Sequence, residues 1–147
     1  MFRGYAMQGL ARLTRRPAVI AIASSVLFTL PHLLNPEVMQ YGLLVMAANY
    51  FAIGMLLATI TLRDGRLELA IGVHAANNVF LAVIANYEES ALQTESIFTA
   101  RELDPYYSLV ALVAGALAFH ACVFRRTARA VTGAGPASEV LDRRDLR

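Results

Sequence analysis

Charge is what most of this sequence lacks. Four runs, Pro17–Pro36, Val38–Leu62, Leu69–Tyr87 and Pro105–Phe124, are read as uncharged segments between flanking charges. Each approaches or exceeds the ~20 residues that a helix needs to cross ~30 Å of hydrocarbon. A composition that is 57% hydrophobic also exceeds the apolar share of ordinary soluble domains. Tryptophan is missing, so Tyr106 and Tyr107 must supply the interfacial aromatics of the fourth run. Cysteine occurs once, at Cys122, which excludes a disulfide within the chain. That thiol reads as a small buried residue or a palmitoylation point. Met1–Arg16 lacks the small-residue cleavage pattern of a signal peptide, and its arginines are interspersed with Phe2, Tyr5, Leu10 and Leu13.

Lysine is absent too: all thirteen basic residues are Arg. Twelve lie before the first run, between the second and third, or after the fourth. Only Arg101 shares the other side with Glu37, Glu88, Glu89, Glu95, Glu102 and Asp104. By the positive-inside rule both termini are cytoplasmic. The expected fold is therefore an all-α, multi-pass transmembrane helix bundle of four spans in the cell membrane, preceded by an amphipathic or truncated helix over Met1–Arg16. Residues 1–126 form the membrane-embedded domain and 127–147 a disordered cytoplasmic tail. Topology accounts for the basic termini and leaves no case for nucleic acid. The partners implied are membrane lipids, and nothing in the sequence sets an oligomeric state.

Along the chain, Phe2, Ala6, Leu10 and Leu13 follow helical spacing, and Pro17 suits the first turn of the next helix. Arg63-Asp64-Gly65-Arg66 is a short turn with glycine at its tip, which makes the second and third spans antiparallel neighbours. Gly42, Ala47, Ala48, Ala52, Gly54 and Ala58 offer small positions for close helix packing, where Asn49 and Tyr50 read as packing or hydrogen-bonding residues. The loop Asn86–Asp104 is acidic, and its Glu88-Glu89 pair reads as a solvated face.

Against this apolar background the intramembrane polar groups stand out, because unpartnered polar groups in hydrocarbon cost several kcal/mol. His74 and Asn78 lie four apart, on one face of a helix. His32 follows Pro31, whose missing N–H frees a carbonyl late in the first span. Packing between helices and a shared site both explain such residues. His120, near the inner end of the fourth span, reads as interfacial.

Phe2-Arg3-Gly4, Phe28-x-x-x-His32, Phe51-x-x-Gly54, Arg63-x-Gly65-x-Leu67 and His74-x-x-x-Asn78 together resemble the CPBP family of intramembrane proteases. This is the CAAX-protease and bacteriocin-processing group, also called glutamic-type intramembrane proteases. The resemblance covers about Met1 to Phe80. It implies an endopeptidase that hydrolyses a peptide bond of a membrane-associated or prenylated peptide, with His32, His74 and Asn78 as catalytic residues and Arg3 and Phe28 in support. In the family a glutamate activates the attacking water. The histidines and asparagine either bind a divalent metal such as zinc, as in a metalloprotease, or orient water and stabilise the oxyanion. Zinc is an unusual partner for an Asn ligand, which favours the metal-free account.

The family's first motif is Glu-Glu-x-x-x-Arg, and with Arg3 as its arginine the two glutamates would precede Met1; the expectation is that this start is internal or misassigned. Two other readings follow from their absence. One is an inactive, truncated relative acting through partner binding, for example in bacteriocin self-immunity. The other is a haem-binding bundle using two of His32, His74 and His120. A depth count raises an objection to the shared site: His32 lies ~24 Å of helix from Arg16, whereas His74 lies ~12 Å from Arg66.

Overall fold

The computed structural model describes residues 2–88 and 90–133. Six helices and one small sheet follow in the order α1 (Phe2–Leu13), α2 (Pro17–His32), α3 (Pro36–Tyr41), α4 (Leu43–Asp64), α5 (Glu68–Val83), β1 (Ala85–Tyr87), β2 (Phe98–Ala100) and α6 (Pro105–Gly133). The chain divides into two units, Met1–Val113 and Ala114–Arg147. The expected tail over 127–147 begins within α6 and from residue 134 lies outside the described residues.

Helix starts follow local chemistry. Pro17 and Pro36 open α2 and α3, where a missing N–H costs nothing. α4 ends on Gly65, whose φ of +70° is the left-handed conformation that closes a helix, with its N–H donating to the Thr61 carbonyl at 2.9 Å. The glycine expected at a turn tip is thus a helix cap. Gly42, at φ +100°, was not foreseen as a breaker. It separates α3 from α4, so the charge-free run Val38–Leu62 is two helices rather than one.

α4 is the central element, packing against α2, α3 and α5, while α1 packs on α2. Its closest approach is to α2, where a Cβ added to Gly54 would stand 3.0 Å from Ser25 Cβ and 3.1 Å from Ser25 Cα. Ser25, fully buried, keeps its hydroxyl satisfied within its own helix by donating to the Ala21 carbonyl at 2.7 Å. Met7, Ile20, Ala21 and Ala58 form one core cluster between α1, α2 and α4; Val38, Met46 and Tyr50 form another where α3 meets α4. Val19, Ile22, Val26 and Leu30 of α2 and Ile71, Val79, Phe80 and Val83 of α5 remain exposed, an apolar exterior suited to lipid.

Among the described residues two helices, α4 and the Pro105–Phe124 part of α6, are long and apolar enough to cross a membrane. α2 and α5, each of 16 residues, are ~24 Å long, short of a ~30 Å core. The expected span Leu69–Tyr87 ends at Val83, and its last residues enter a parallel strand pair that registers Ala85 with Phe98, Asn86 with Thr99 and Tyr87 with Ala100. The fold is therefore mostly helical rather than all-α. Asn86 explains the change: buried, it donates to the Leu92 carbonyl at 2.6 Å and accepts from the Tyr87 N–H at 2.9 Å, folding the loop back on itself. Cys122, expected to be buried, is exposed, in keeping with a Pro105–Phe124 segment that has none of its residues buried.

The Ser25–Gly54 contact leads to a paired prediction. Gly54→Val is expected to destabilise the protein by ~1–3 kcal/mol through overpacking. Gly72→Ala, whose new Cβ meets nothing within 4 Å, should be neutral or stabilise by ~0.5–1 kcal/mol. Thermal unfolding in detergent micelles measures both, and equal effects would contradict the close approach of α2 and α4.

Candidate active site

Phe28 and His32 occupy successive turns at the end of α2. The His32 Nδ1 lies 2.7 Å from the Phe28 carbonyl oxygen. Because a carbonyl can only accept, Nδ1 carries the proton in this contact. In the neutral ring the lone pair is then on Nε2. Phe28 also fixes the ring by stacking, with centroids 4.4 Å apart at 34°. His74 of α5 meets the edge or face of the same phenyl ring at 5.7 Å and 80°. Imidazoles from two different helices thus lie against one aromatic side chain, the role Phe28 plays here.

The remaining predicted site residues are placed less closely. Asn78 is one turn beyond His74, on an exposed part of α5, and its Oδ1 accepts from Asn77 Nδ2 at 3.5 Å. Arg3 lies in the first turn of α1, and its side chain is outside the described residues. In the second unit, His120 stacks on Phe124 at 5.3 Å and 30°.

His32 also lies against residues that the sequence motifs left out of the site. The Tyr50 ring of α4 lies 4.8 Å from the His32 ring. Its hydroxyl donates to Glu37 Oε1 and accepts from Asn35 Nδ2 at 2.8 Å. Glu37 is only 3% exposed. Its Oε2 is buried without a hydrogen-bond partner among the described residues. Tyr87 of β1 lies close by: burial first, and then the negative charge of Glu37, push its phenol up to about 12. The signal available in the sequence was Asn35-Pro36-Glu37 itself, an amide and a carboxylate immediately after the His32 turn. Asn49, by contrast, is structural as expected, donating to the Pro105 carbonyl at 3.0 Å and accepting from Ser108 Oγ at 3.2 Å.

Among the described residues no three His, Cys, Asp or Glu side chains group together as ligands, and the third donor the motif offers is the carboxamide of Asn78, a poor ligand for zinc.

These features define a helical membrane protein with paired imidazoles at one end of α2. The sequence profile of the type II CAAX prenyl endopeptidase Rce1-like proteins matches residues 1–80, and the chain belongs to this Rce1-like family. The uncharacterized protein YyaK of Bacillus subtilis (strain 168) is 31% identical over 119 residues, covering 80% of this chain. The chain spans 40% of the length of that relative. No solved structure matches it.

The Phe28 contact fixes a measurable tautomer. In a ¹⁵N-histidine-labelled sample held above the imidazole pKa, His32 is expected to show a protonated Nδ1 and a bare Nε2. Its signals would be assigned by their loss in His32→Gln. The opposite tautomer would remove the Phe28 hydrogen bond.

Proposed function

We propose that this chain is the histidine-bearing part of a CAAX-type intramembrane endopeptidase, acting on a membrane-associated or prenylated peptide. In this reading α2, α4, α5 and α6 each cross the membrane and both termini are cytoplasmic. His32 and His74, with Asn78 one turn further on α5, orient the attacking water and stabilise the oxyanion. The observation that carries the reading is the meeting of His32 and His74 on the Phe28 ring, at the positions of the family's F-x-x-x-H and H-x-x-x-N motifs. Neutral His32, protonated at Nδ1, can accept a water proton at Nε2. Imidazole and carboxamide N–H groups aimed at a developing oxyanion are the kind of donor whose loss costs a hydrolase ~10²–10³-fold.

In the family a glutamate activates the water, and such a base must lie within hydrogen-bond reach of it. The family's Glu-Glu pair is not among these 147 residues, so the endopeptidase reading assigns the base to a longer form of the protein. A second reading is a non-cleaving relative that binds membrane peptides through the same bundle.

A prenylated fluorogenic peptide incubated with the protein in liposomes separates the two. The endopeptidase reading expects His32→Ala and His74→Ala each to lower kcat/KM by ~10²–10⁴-fold. Turnover by the unaltered chain that does not exceed that of His74→Ala leaves the non-cleaving relative.

The topology has its own check. In a Cys122→Ser background, cysteines placed at Ser96 and Ser138 should react with an impermeant reagent from opposite sides. Labelling of both from one side would overturn the four-span arrangement.

A further inference from the structure

We propose that Glu37, acting through Tyr50 and Asn35, is a positioning residue for His32. The proposal rests on the reading of His32 as a site residue, and three observations on separate elements converge on it. The Glu37 carboxylate is withdrawn from solvent at 3% exposure, although it lies in a six-residue helix between two apolar helices where an exposed position would be easy to find. Its Oε1 accepts both from the Tyr50 hydroxyl and, at 3.5 Å, from Asn35 Nδ2, which itself donates to the Tyr50 oxygen at 2.8 Å. The Tyr50 ring so held lies 4.8 Å from the face of His32, opposite in role to Phe28, which stacks at 4.4 Å.

Each partner alone would leave a degree of freedom. The Nδ1–carbonyl bond to Phe28 sets the tautomer of His32 but allows the ring to swing about its Cβ. A second aromatic ring limits that swing only if it is itself fixed, and a tyrosine is fixed by what its hydroxyl binds. Three residues close this constraint: Asn35 supplies the donor, Glu37 the acceptor, and the proline between them starts the helix that carries Glu37. A carboxylate acting only as a structural acceptor would be expected to use both oxygens. Here Oε2 has no hydrogen-bond partner among the described residues, so burial of Glu37 is costly, and the oxygen that is bonded is the one that holds Tyr50 and Asn35. The charged and titratable groups around it are Tyr50 from α4, Tyr87 from β1 and, behind Tyr87, Tyr41 from α3 at a ring separation of 6.3 Å.

The test reads His32 directly. Tyr50→Phe keeps the ring and removes the hydroxyl, Glu37→Ala removes the acceptor, and Glu37→Gln keeps an acceptor oxygen. Asn49→Ala perturbs the same helix one residue away through its contacts with Pro105 and Ser108. Tyr50→Phe and Glu37→Ala are expected to shift or broaden the His32 ring resonances and to move their pH midpoint. Glu37→Gln should lie closer to the unaltered protein than Glu37→Ala, and Asn49→Ala should leave the His32 signals in place. Where peptide cleavage is present, Tyr50→Phe should lower kcat by about tenfold to a hundredfold with little change in KM, as expected for a misplaced catalytic group. His32 signals and pH midpoint unchanged in Tyr50→Phe would overturn the proposal, even if Glu37→Ala fails to fold. Because these signals need no turnover, a protein that cleaves nothing removes the endopeptidase reading and still decides this one.

Discussion

The contact between Ser25 and Gly54 sets the register on which the site depends. With α2 and α4 antiparallel, matching Ser25 to Gly54 brings the turn of Thr29 opposite Tyr50, and His32 falls within reach of the tyrosine ring. A larger residue at position 54 would push the helices apart at the point from which both rings are measured. Lipid gives no hydrophobic reason for two apolar helices to associate, so close packing and satisfied polar groups must supply it. The small side chains here do both. Ser24, Ser25 and Thr29 are buried and return their hydroxyls to carbonyls of their own helix, leaving a surface that is sterically small and electrically closed.

The polar groups at the His32 end are satisfied differently. Asn35, Glu37 and Tyr50 come from a turn, α3 and α4 and bond across elements, with the Tyr50 ring against His32 of α2. A buried donor or acceptor that loses its partner costs ~1–3 kcal/mol, so such a cluster fixes the geometry of the chain turn more strongly than apolar contact would. Gly42 is part of the same arrangement. Its positive φ lets α3 and α4 follow one another with a change of direction, and this brings Glu37 against Tyr50 of the next helix.

Much of this was legible in the sequence, for definite reasons. Charge-free runs bounded by charged residues located four apolar segments. Pro17 and the small residues of α4 marked a start and a packing face, and Gly65 marked a turn that the structure makes a helix cap. His32, His74 and Asn78 were legible as a set through motif spacing, with Phe28 in support; the structure sets the two histidines against Phe28 and leaves Asn78 on an exposed part of α5. What was not legible depends on contacts between distant residues. Gly42 looked like one more small interhelical residue, because a positive φ has no sequence signature of its own. Nothing in the alternation of residues 84–87 distinguished a strand from the end of a helix; the pairing with 98–100 and the Asn86 bonds decide it. Glu37 read only as one of the acidic residues on the outer side, yet its hydrogen bond is to a tyrosine thirteen residues later.

The depth objection to a shared site is resolved by the first helix. Counting from Arg16 and Arg66 assumes that α2 and α5 begin at the same level, and they do not. Met7 packs on Ile20 and Ala21. Since α1 returns into α2 through a short link, Gly4 stands three residues, ~4.5 Å, nearer the His32 end. Gly4 is buried directly against Leu67, so closely that a Cβ there would lie 2.6 Å from Leu67 Cδ1. The start of α5 is therefore level with the second or third turn of α2 rather than with Arg16. Seven residues on from Leu67 add ~10 Å, which carries His74 to the last turns of α2, where Phe28 meets it. A Cβ at position 4 would meet only the tip of the Leu67 side chain, which must turn aside to admit it, so this contact sets the level of α5 through one leucine while the Ser25–Gly54 contact, which includes backbone, sets that of α4.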